Sequence, residues 1–347
     1  MFGKVRKIYN VLDGFSKLVN IDSHKCVRFI SNHKVVCDIC TKQCPSQAIS
    51  IDKKGITINW ESCLECGICA KECKAGVFSL KYYLDSKIYN EIATFSKSNG
   101  FLVVSCEKVT SKNRSGVTIP CGGWVDDSTF IWAASQGAKN IYIKLSDCEN
   151  CTIKCGNKTL SAEIEKFISI QRELNVECNI KLIDESSKIK ADLKQTDNKD
   201  DVNLSRRELF SYFKNKSKRS IGQMYSYMSD ENQKIYNRSF VLHKDKKLPF
   251  RKNIFISALI FLSSEKAATE NFKTKYLGGV QIDLNECNLC GICYRFCPTG
   301  ALKEISKENG EGYLQKAGIE INNIYCINCD ICISWCDKKA ISDAFAK

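Results

Sequence analysis

The chain has 347 residues, 44% of them hydrophobic and 26% charged, which excludes a largely disordered protein and predicts about two to four folded domains. Its 22 cysteines are unusual, and because no secretory signal is recognisable we expect reduced, metal-bound thiols in a cytoplasmic protein. The net charge of +13 comes mostly from residues 201–275. The longest apolar run, residues 254–262, is too short to span a membrane and predicts a buried helix.

The first segment, residues 1–85, contains one complete and one incomplete cysteine motif. The complete motif has the C-x2-C-x2-C-x3-C spacing of a 4Fe-4S site and comprises Cys63, Cys66, Cys69 and Cys73. The incomplete motif comprises Cys37, Cys40 and Cys44. Its missing ligand would fall at Lys34, and we expect Cys26 to replace it through a longer loop. The alternative ligands are His24 and His33, because imidazole can also bind iron.

The ligand sets of two such motifs are expected to cross. Three closely spaced cysteines wrap one cluster, and the fourth is expected to begin a helix that leads to the neighbouring cluster. Gly67, after the second cysteine, would let backbone amides approach the sulfur atoms. The predicted ligands of cluster 1 are Cys26, Cys37, Cys40 and Cys73, and those of cluster 2 are Cys63, Cys66, Cys69 and Cys44.

Residues 86–185 alternate between helical and strand patterns. The predicted elements are a helix at 87–98, strands at 101–105 and 117–120, a helix at 127–136, a strand at 141–145, a helix at 159–174 and a strand at 179–183. This alternation predicts a small three-layer α/β domain with a mainly parallel sheet. Cysteines that follow parallel strands would gather at one rim of that sheet. Cys178 stands alone and is predicted to be a small buried side chain.

Residues 101–183 resemble the iron-sulfur delta subunit of methyl-viologen-reducing hydrogenases, which passes electrons to heterodisulfide reductase. The resemblance rests on VVSC at the first strand, on PCGGWVD around Cys121, on Gly-Ala before the next strand and on the cysteines before Gly156-Asn157. It implies a 2Fe-2S centre, for which the candidate ligands are Cys106, Cys121, Cys148, Cys151 and Cys155. The alternatives are a structural zinc ion and a redox-active disulfide between Cys148 and Cys151.

Residues 186–204 lose their aromatic side chains and predict a solvated linker, and residues 205–275 form a basic, helical segment. In this basic segment Lys and Arg alternate with Tyr and Phe, which suits docking of an acidic ferredoxin or flavodoxin. Nucleic acid is the competing ligand, but no nucleic-acid-binding fold is recognisable, so we expect none.

The last segment, residues 276–347, contains two complete motifs. Cys287, Cys290 and Cys293 are expected to bind cluster 3 together with Cys336. Cys326, Cys329 and Cys332 are expected to bind cluster 4 together with Cys297, which precedes Pro298. A zinc ribbon would use two well-separated C-x2-C pairs, so the continuous motifs favour clusters.

Both ends of the chain resemble bacterial two-cluster ferredoxins, and residues 25–78 are similar to ferredoxin-like modules of anaerobic electron-transfer proteins. The resemblance implies an α+β and α/β multidomain protein with four 4Fe-4S clusters, in which two dicluster modules flank the middle α/β domain.

The expected function is electron transfer, because no nucleotide-binding loop and no Ser-His-Asp set is recognisable. The protein would relay single electrons between redox enzymes in anaerobic metabolism. By resemblance its partners would be a hydrogenase, a heterodisulfide-reductase-like enzyme or another oxidoreductase. The alternative is a reductase whose middle cysteines reduce a disulfide or a small substrate.

Overall fold

A computed structural model of the chain describes residues 19–80, 85–110, 112–154, 156–183, 248–262, 272, 276–308 and 314–344. These residues all belong to one of the two compact units into which the chain divides. The predicted linker, residues 205–247 of the basic segment and the candidate ligand Cys155 lie outside the described residues.

The first segment is built from two nested antiparallel strand pairs with short helices between them. The elements are β1 (Val19–Ile21), α1 (Val27–Ile30), α2 (Ile39–Lys42), β2 (Ile49–Ile51), β3 (Ile56–Ile58), α3 (Ile68–Glu72) and β4 (Phe78–Leu80). Strand β1 pairs with β4 and β2 pairs with β3. The β2–β3 turn forms because the Asp52 carboxylate accepts the amides of Lys54 and Gly55 at 2.7 and 2.9 Å.

The last segment repeats this nested arrangement. Its elements are β9 (Val280–Ile282), α8 (Ile292–Phe296), β10 (Leu302–Glu308), β11 (Leu314–Ile321), α9 (Ile331–Trp335) and β12 (Ile341–Asp343). Strand β9 pairs antiparallel with β12, and β10 pairs antiparallel with β11. The duplication of the cysteine motifs at the two ends of the chain is therefore accompanied by a duplicated strand pairing.

The middle domain contains a four-stranded sheet of order β6-β5-β7-β8, and all three strand pairs are parallel. Its elements are α4 (Asp85–Asn99), β5 (Phe101–Cys106), β6 (Val117–Ile119), α5 (Asp127–Ser135), β7 (Asn140–Lys144), α6 (Gly156–Leu174) and β8 (Asn179–Ile183). The prediction of a parallel sheet is confirmed. Strand β5 is buried along nearly its whole length, as its continuous apolar run requires for a central parallel strand.

The apolar run at residues 254–262 lies in helix α7 (Phe250–Leu262), which packs against α5. The predicted burial holds for Ile254, Phe255, Ala258 and Leu259. It is wrong for the last turn, where Ile260 and Phe261 are 42% and 55% exposed. None of the described helices is both long and apolar enough to cross a bilayer.

Arg251, in the first turn of α7, anchors this helix to the middle domain. Its Nε lies 2.8 Å from Asp85 Oδ2, and its Nη1 lies 2.8 Å from Asp126 Oδ2. Nη1 also donates to the Trp124 carbonyl at 2.8 Å, and the guanidinium lies 4.2 Å from the centre of the Trp124 ring. Arg251 therefore packs into the middle domain, although it follows that domain in the sequence.

Asp126 is the second centre of this network. Burial on its own would raise the pKa of the Asp126 carboxyl, but the charge of Arg251 and hydrogen bonds from Ser128, Arg251 and Thr129 outweigh it and lower the pKa. The same carboxylate accepts the Thr129 amide at 3.1 Å and so caps the N-terminus of α5. The hydroxyl of buried Tyr89 also donates to it at 3.0 Å.

Candidate metal centres

The four thiols predicted to bind cluster 1 are neighbours in the structure and are called thiol group 1. Burial, followed by the charges of Cys73, Cys37 and Cys26, raises the pKa of the Cys40 thiol to about 12. Cys26 is itself buried between a short turn and α1. The alternative ligands do not share this environment, because the side chains of both His24 and His33 are exposed.

Thiol group 2 contains the four cysteines predicted for cluster 2. Burial raises the pKa of the Cys69 thiol, and the nearby Cys66, Cys63 and Cys44 raise it further. The amide of Ala48 donates to Cys44 Sγ at 3.3 Å. The structure thus brings Cys44, from the incomplete motif, to the three closely spaced cysteines of the complete one.

The last segment holds two further groups with the same crossing. In thiol group 3, burial and the nearby Cys287, Cys290 and Cys336 raise the pKa of Cys293 to about 11. In thiol group 4, burial and the nearby Cys329, Cys326 and Cys297 raise the pKa of Cys332. Both sets bring together the cysteines that the crossed spacing predicts. Cys290 differs from the other cysteines of groups 3 and 4 in being exposed.

The prediction that the fourth cysteine begins a helix was wrong. Cys69 lies inside α3, and Cys73 follows the last residue of that helix. The same holds for Cys293 and Cys297 around α8, because the x3 spacing covers about one helical turn. Gly67 is the N-cap residue of α3 and has a φ of +75°, a left-handed conformation that glycine adopts at little cost.

Four of the five cysteines predicted in the middle domain come together and are called the middle thiol group. Cys106 ends β5, Cys121 follows β6, and Cys148 and Cys151 follow β7, so they lie at the carboxyl ends of adjacent parallel strands. Burial and the nearby thiols of Cys106 and Cys151 raise the pKa of Cys148. Cys121 and Cys151 are in contact with the same buried cluster of side chains.

Backbone amides point at the middle thiol group. The amide of Gly123 donates to Cys121 Sγ and that of Lys108 donates to Cys106 Sγ, both at 3.4 Å. The Asn157 amide, in the first turn of α6, donates to Cys148. Amide donors and a helix N-terminus stabilise thiolates, whether free or bound to metal. Gly156 is required at this point, because a Cβ there would lie 2.9 Å from Cys121 Sγ.

Cys178 does not join this group. It directly precedes β8, at the amino-terminal end of that parallel strand, whereas the middle thiol group lies at the carboxyl ends. Cys178 is 1% exposed. Burial alone raises the pKa of its thiol to about 12. The prediction of a small buried side chain is confirmed.

Within the part of the chain that the structure describes, no set of three or more His, Cys, Asp or Glu side chains is placed so that it could hold a single metal ion. A 4Fe-4S cluster makes a different demand, because its four thiolates bind four different iron atoms. The four neighbouring thiols of each group supply the ligand number and chemistry that such a cluster needs.

Known sequences identify the family. A 4Fe-4S binding domain family matches residues 280–303, which contain Cys287, Cys290, Cys293 and Cys297. An uncharacterized ferredoxin of Methanocaldococcus jannaschii is 37% identical over 60 residues, which cover 17% of this chain and 70% of that ferredoxin. This chain belongs to the ferredoxin family. No solved structure shows a significant match to it.

A second relative of this ferredoxin is subunit PorD of pyruvate synthase from the same organism. It is 38% identical over 61 residues, which cover 18% of this chain and 60% of that subunit. The matched 4Fe-4S binding domain and both relatives support iron-sulfur electron transfer as the general role of this ferredoxin.

Proposed function

We propose that this ferredoxin holds four 4Fe-4S clusters and relays single electrons between redox enzymes of anaerobic metabolism. The observation that carries the proposal is the arrangement of the end segments, where four separate groups each bring four thiols together. A bound 4Fe-4S cluster supplies reversible uptake of one electron. The cysteine side chains would hold the clusters, and backbone amide donors such as that of Ala48 on Cys44 Sγ would adjust their potentials.

The middle thiol group is proposed to hold a fifth centre of the 2Fe-2S type. Such a centre takes four cysteine ligands, and the four that converge are Cys106, Cys121, Cys148 and Cys151. The alternative of a structural zinc ion is distinguished from a 2Fe-2S centre by metal analysis.

The proposed partners are other redox proteins in an anaerobic cytoplasm. The relative PorD is a subunit of pyruvate synthase, which supports association with an oxidoreductase. The resemblance of the middle domain favours a hydrogenase or a heterodisulfide-reductase-like enzyme among these. A small ferredoxin or flavodoxin is the proposed mobile partner.

A second candidate function is reduction of a disulfide or small substrate by Cys148 and Cys151. The observation in its favour is that these two cysteines are half-buried, whereas Cys106 and Cys121 are buried. They also form a C-x2-C pair before the N-terminus of α6, the spacing of a redox-active dithiol. In this case the iron-sulfur clusters would supply the electrons.

Alkylation of the anaerobically purified, dithionite-reduced protein separates these functions. We expect iodoacetamide to spare all cysteines of the four end groups, including Cys290, whose exposure means that burial cannot protect it. Removal of iron with a chelator should then make Cys290 react, while buried Cys178 serves as the control that is protected without metal. Rapid labelling of Cys290 before chelation would contradict the cluster assignment. Labelling of Cys148 and Cys151 alone would favour the reductase.

A further inference from the structure

One buried apolar cluster joins thiol group 2 to the middle thiol group. Cys66 and Ile68 enter it from the first segment, and Cys121 and Ile153 enter it from the middle domain. All four are at most 8% exposed, and Cys151 packs against them. Because Cys66 belongs to group 2 while Cys121 and Cys151 belong to the middle group, the two thiol groups border the same dry core.

The backbones also meet closely at this contact. A Cβ on Gly123, two residues after Cys121, would lie 2.9 Å from Ile68 Cδ1. A Cβ on Gly67, directly after Cys66, would lie 2.7 Å from Trp124 Cδ1. Both distances are shorter than ordinary carbon contacts, so glycine at these positions permits the approach of the two cysteine-bearing loops.

A buried ion pair holds the same interface together. Lys71 Nζ, between Cys69 and Cys73 on α3, lies 2.9 Å from Glu163 Oε1 on α6. The two side chains are 5% and 6% exposed. Neither residue is recognisable as a partner from the sequence, because their pairing depends on how α3 packs against α6. Glu72 also pairs with Lys71 at 2.8 Å and Lys166 with Glu163 at 3.0 Å, so a network of charges joins α3 to α6 beside the two thiol groups.

Thiol group 1 faces a different part of the molecule. Lys34, close to Cys37 in sequence, places its Nζ 4.1 Å from the centre of the Trp335 ring in the last segment. The first segment therefore contacts the last segment beside group 1 and the middle domain beside group 2, although the middle domain separates the two segments in the sequence.

We propose that thiol group 2, and not group 1, exchanges electrons with the middle thiol group across the buried cluster that contains Ile68 and Ile153. The inference rests on the proposed function, because it requires iron-sulfur centres at both groups. One electron moves at a time: one centre is oxidised by one electron while the other is reduced by one, and no covalent bond forms or breaks. The electrons come from a one-electron donor, a reduced ferredoxin or, in the experiment, dithionite. A dry and closely packed contact keeps the distance short and constant.

Electron paramagnetic resonance of the dithionite-reduced, full-length protein tests this junction. We expect the signal of the middle centre to relax rapidly in the wild type, because a paramagnetic neighbour is close. Cys63→Ala, which removes a ligand of group 2, should slow this relaxation several-fold. The matched variant Cys37→Ala, which removes a ligand of group 1, should leave it unchanged. Iron analysis should show that each variant has lost about four iron atoms, the content of one cluster.

A ligand-sparing variant keeps the test valid if loss of a cluster disturbs the fold. Gly123→Ala should press on Ile68, weaken the relaxation enhancement and retain the full iron content. Gly318→Ala is the control, because the Gly318 backbone is not left-handed and a Cβ there would meet only Ile305 Cδ1, at an ordinary contact distance of 3.7 Å.

The proposal is overturned if Cys37→Ala and not Cys63→Ala slows the relaxation, or if neither variant does so. It is also overturned if the middle centre gives no signal in a protein that holds the other clusters. A wild type without iron would instead contradict the proposed function itself.

Discussion

The Cys26→Ala variant is expected to bind about four iron atoms fewer than the wild type, the content of one 4Fe-4S cluster. Cys26 is the one ligand that lies outside the regular motif spacing, and the structure places it beside Cys37, Cys40 and Cys73. Its removal leaves three thiols for thiol group 1. Iron and acid-labile sulfide analysis of the anaerobically purified variant measures the loss.

Cys178→Ala is the matched control for this substitution. Like Cys26, Cys178 lies outside the regular cysteine motifs and is buried, but it belongs to none of the thiol groups. It should retain the wild-type iron content. A Cys26→Ala protein with full iron content would show that another side chain completes thiol group 1, and His24→Ala and His33→Ala variants would then identify it.

Replacement of Arg251 by methionine is expected to lower the free energy of unfolding by about 3–5 kcal/mol. The substitution keeps much of the apolar stem but leaves Asp85 and Asp126 without their buried cation. The packing of α7 against α5 and the position of Trp124 both depend on this guanidinium. Urea unfolding followed by circular dichroism under anaerobic conditions measures the change.

The control for Arg251 is Lys87→Met, which removes an exposed ion pair with Glu91 and should change the stability by less than about 0.5 kcal/mol. A loss below about 1 kcal/mol in Arg251→Met would contradict the structural role of the network.

The contribution of Arg251 should also depend on pH. The folded state lowers the pKa of Asp126, so the stabilisation is present above the pKa of about 3.9 of an unfolded aspartate and is lost as the pH falls through the lower, folded pKa. The difference in stability between the wild type and Arg251→Met should therefore shrink below about pH 4. A difference that stays constant down to pH 2 would exclude the ion pair as its cause.

The sequence was sufficient to predict the middle sheet and the crossed thiol groups, because both depend on local signals. Strand β5 is a continuous apolar run, and its cysteine stands at the strand end, where parallel strands bring their carboxyl ends together. The motif spacing likewise determines which three cysteines share a loop. It did not reveal that the third cysteine lies inside a helix, because the helices are only four or five residues long, too short to show a helical period.

Contacts between distant parts of the chain could not be predicted in the same way. Arg251 pairs with Asp85 and Asp126, which are separated from it by 166 and 125 residues, and nothing local to Arg251 identifies either partner. The junction between Cys66 and Cys121 also depends on packing of whole segments. The only local signals are Gly67 and Gly123. The reason that glycine is required there becomes clear only in the structure, where Trp124 lies beside Gly67 and Ile68 lies beside Gly123.

Anaerobic quantification of iron and acid-labile sulfide, combined with electron paramagnetic resonance of the reduced protein, tests the central claim most directly. Four 4Fe-4S clusters predict about 16 iron atoms and equal sulfide per chain, and the added 2Fe-2S centre raises the count to about 18. The reduced clusters should return to the oxidised state when an electron acceptor is added, and their signals should change accordingly. A protein with stoichiometric zinc and no labile sulfide, or with about eight iron atoms or fewer, would contradict the account.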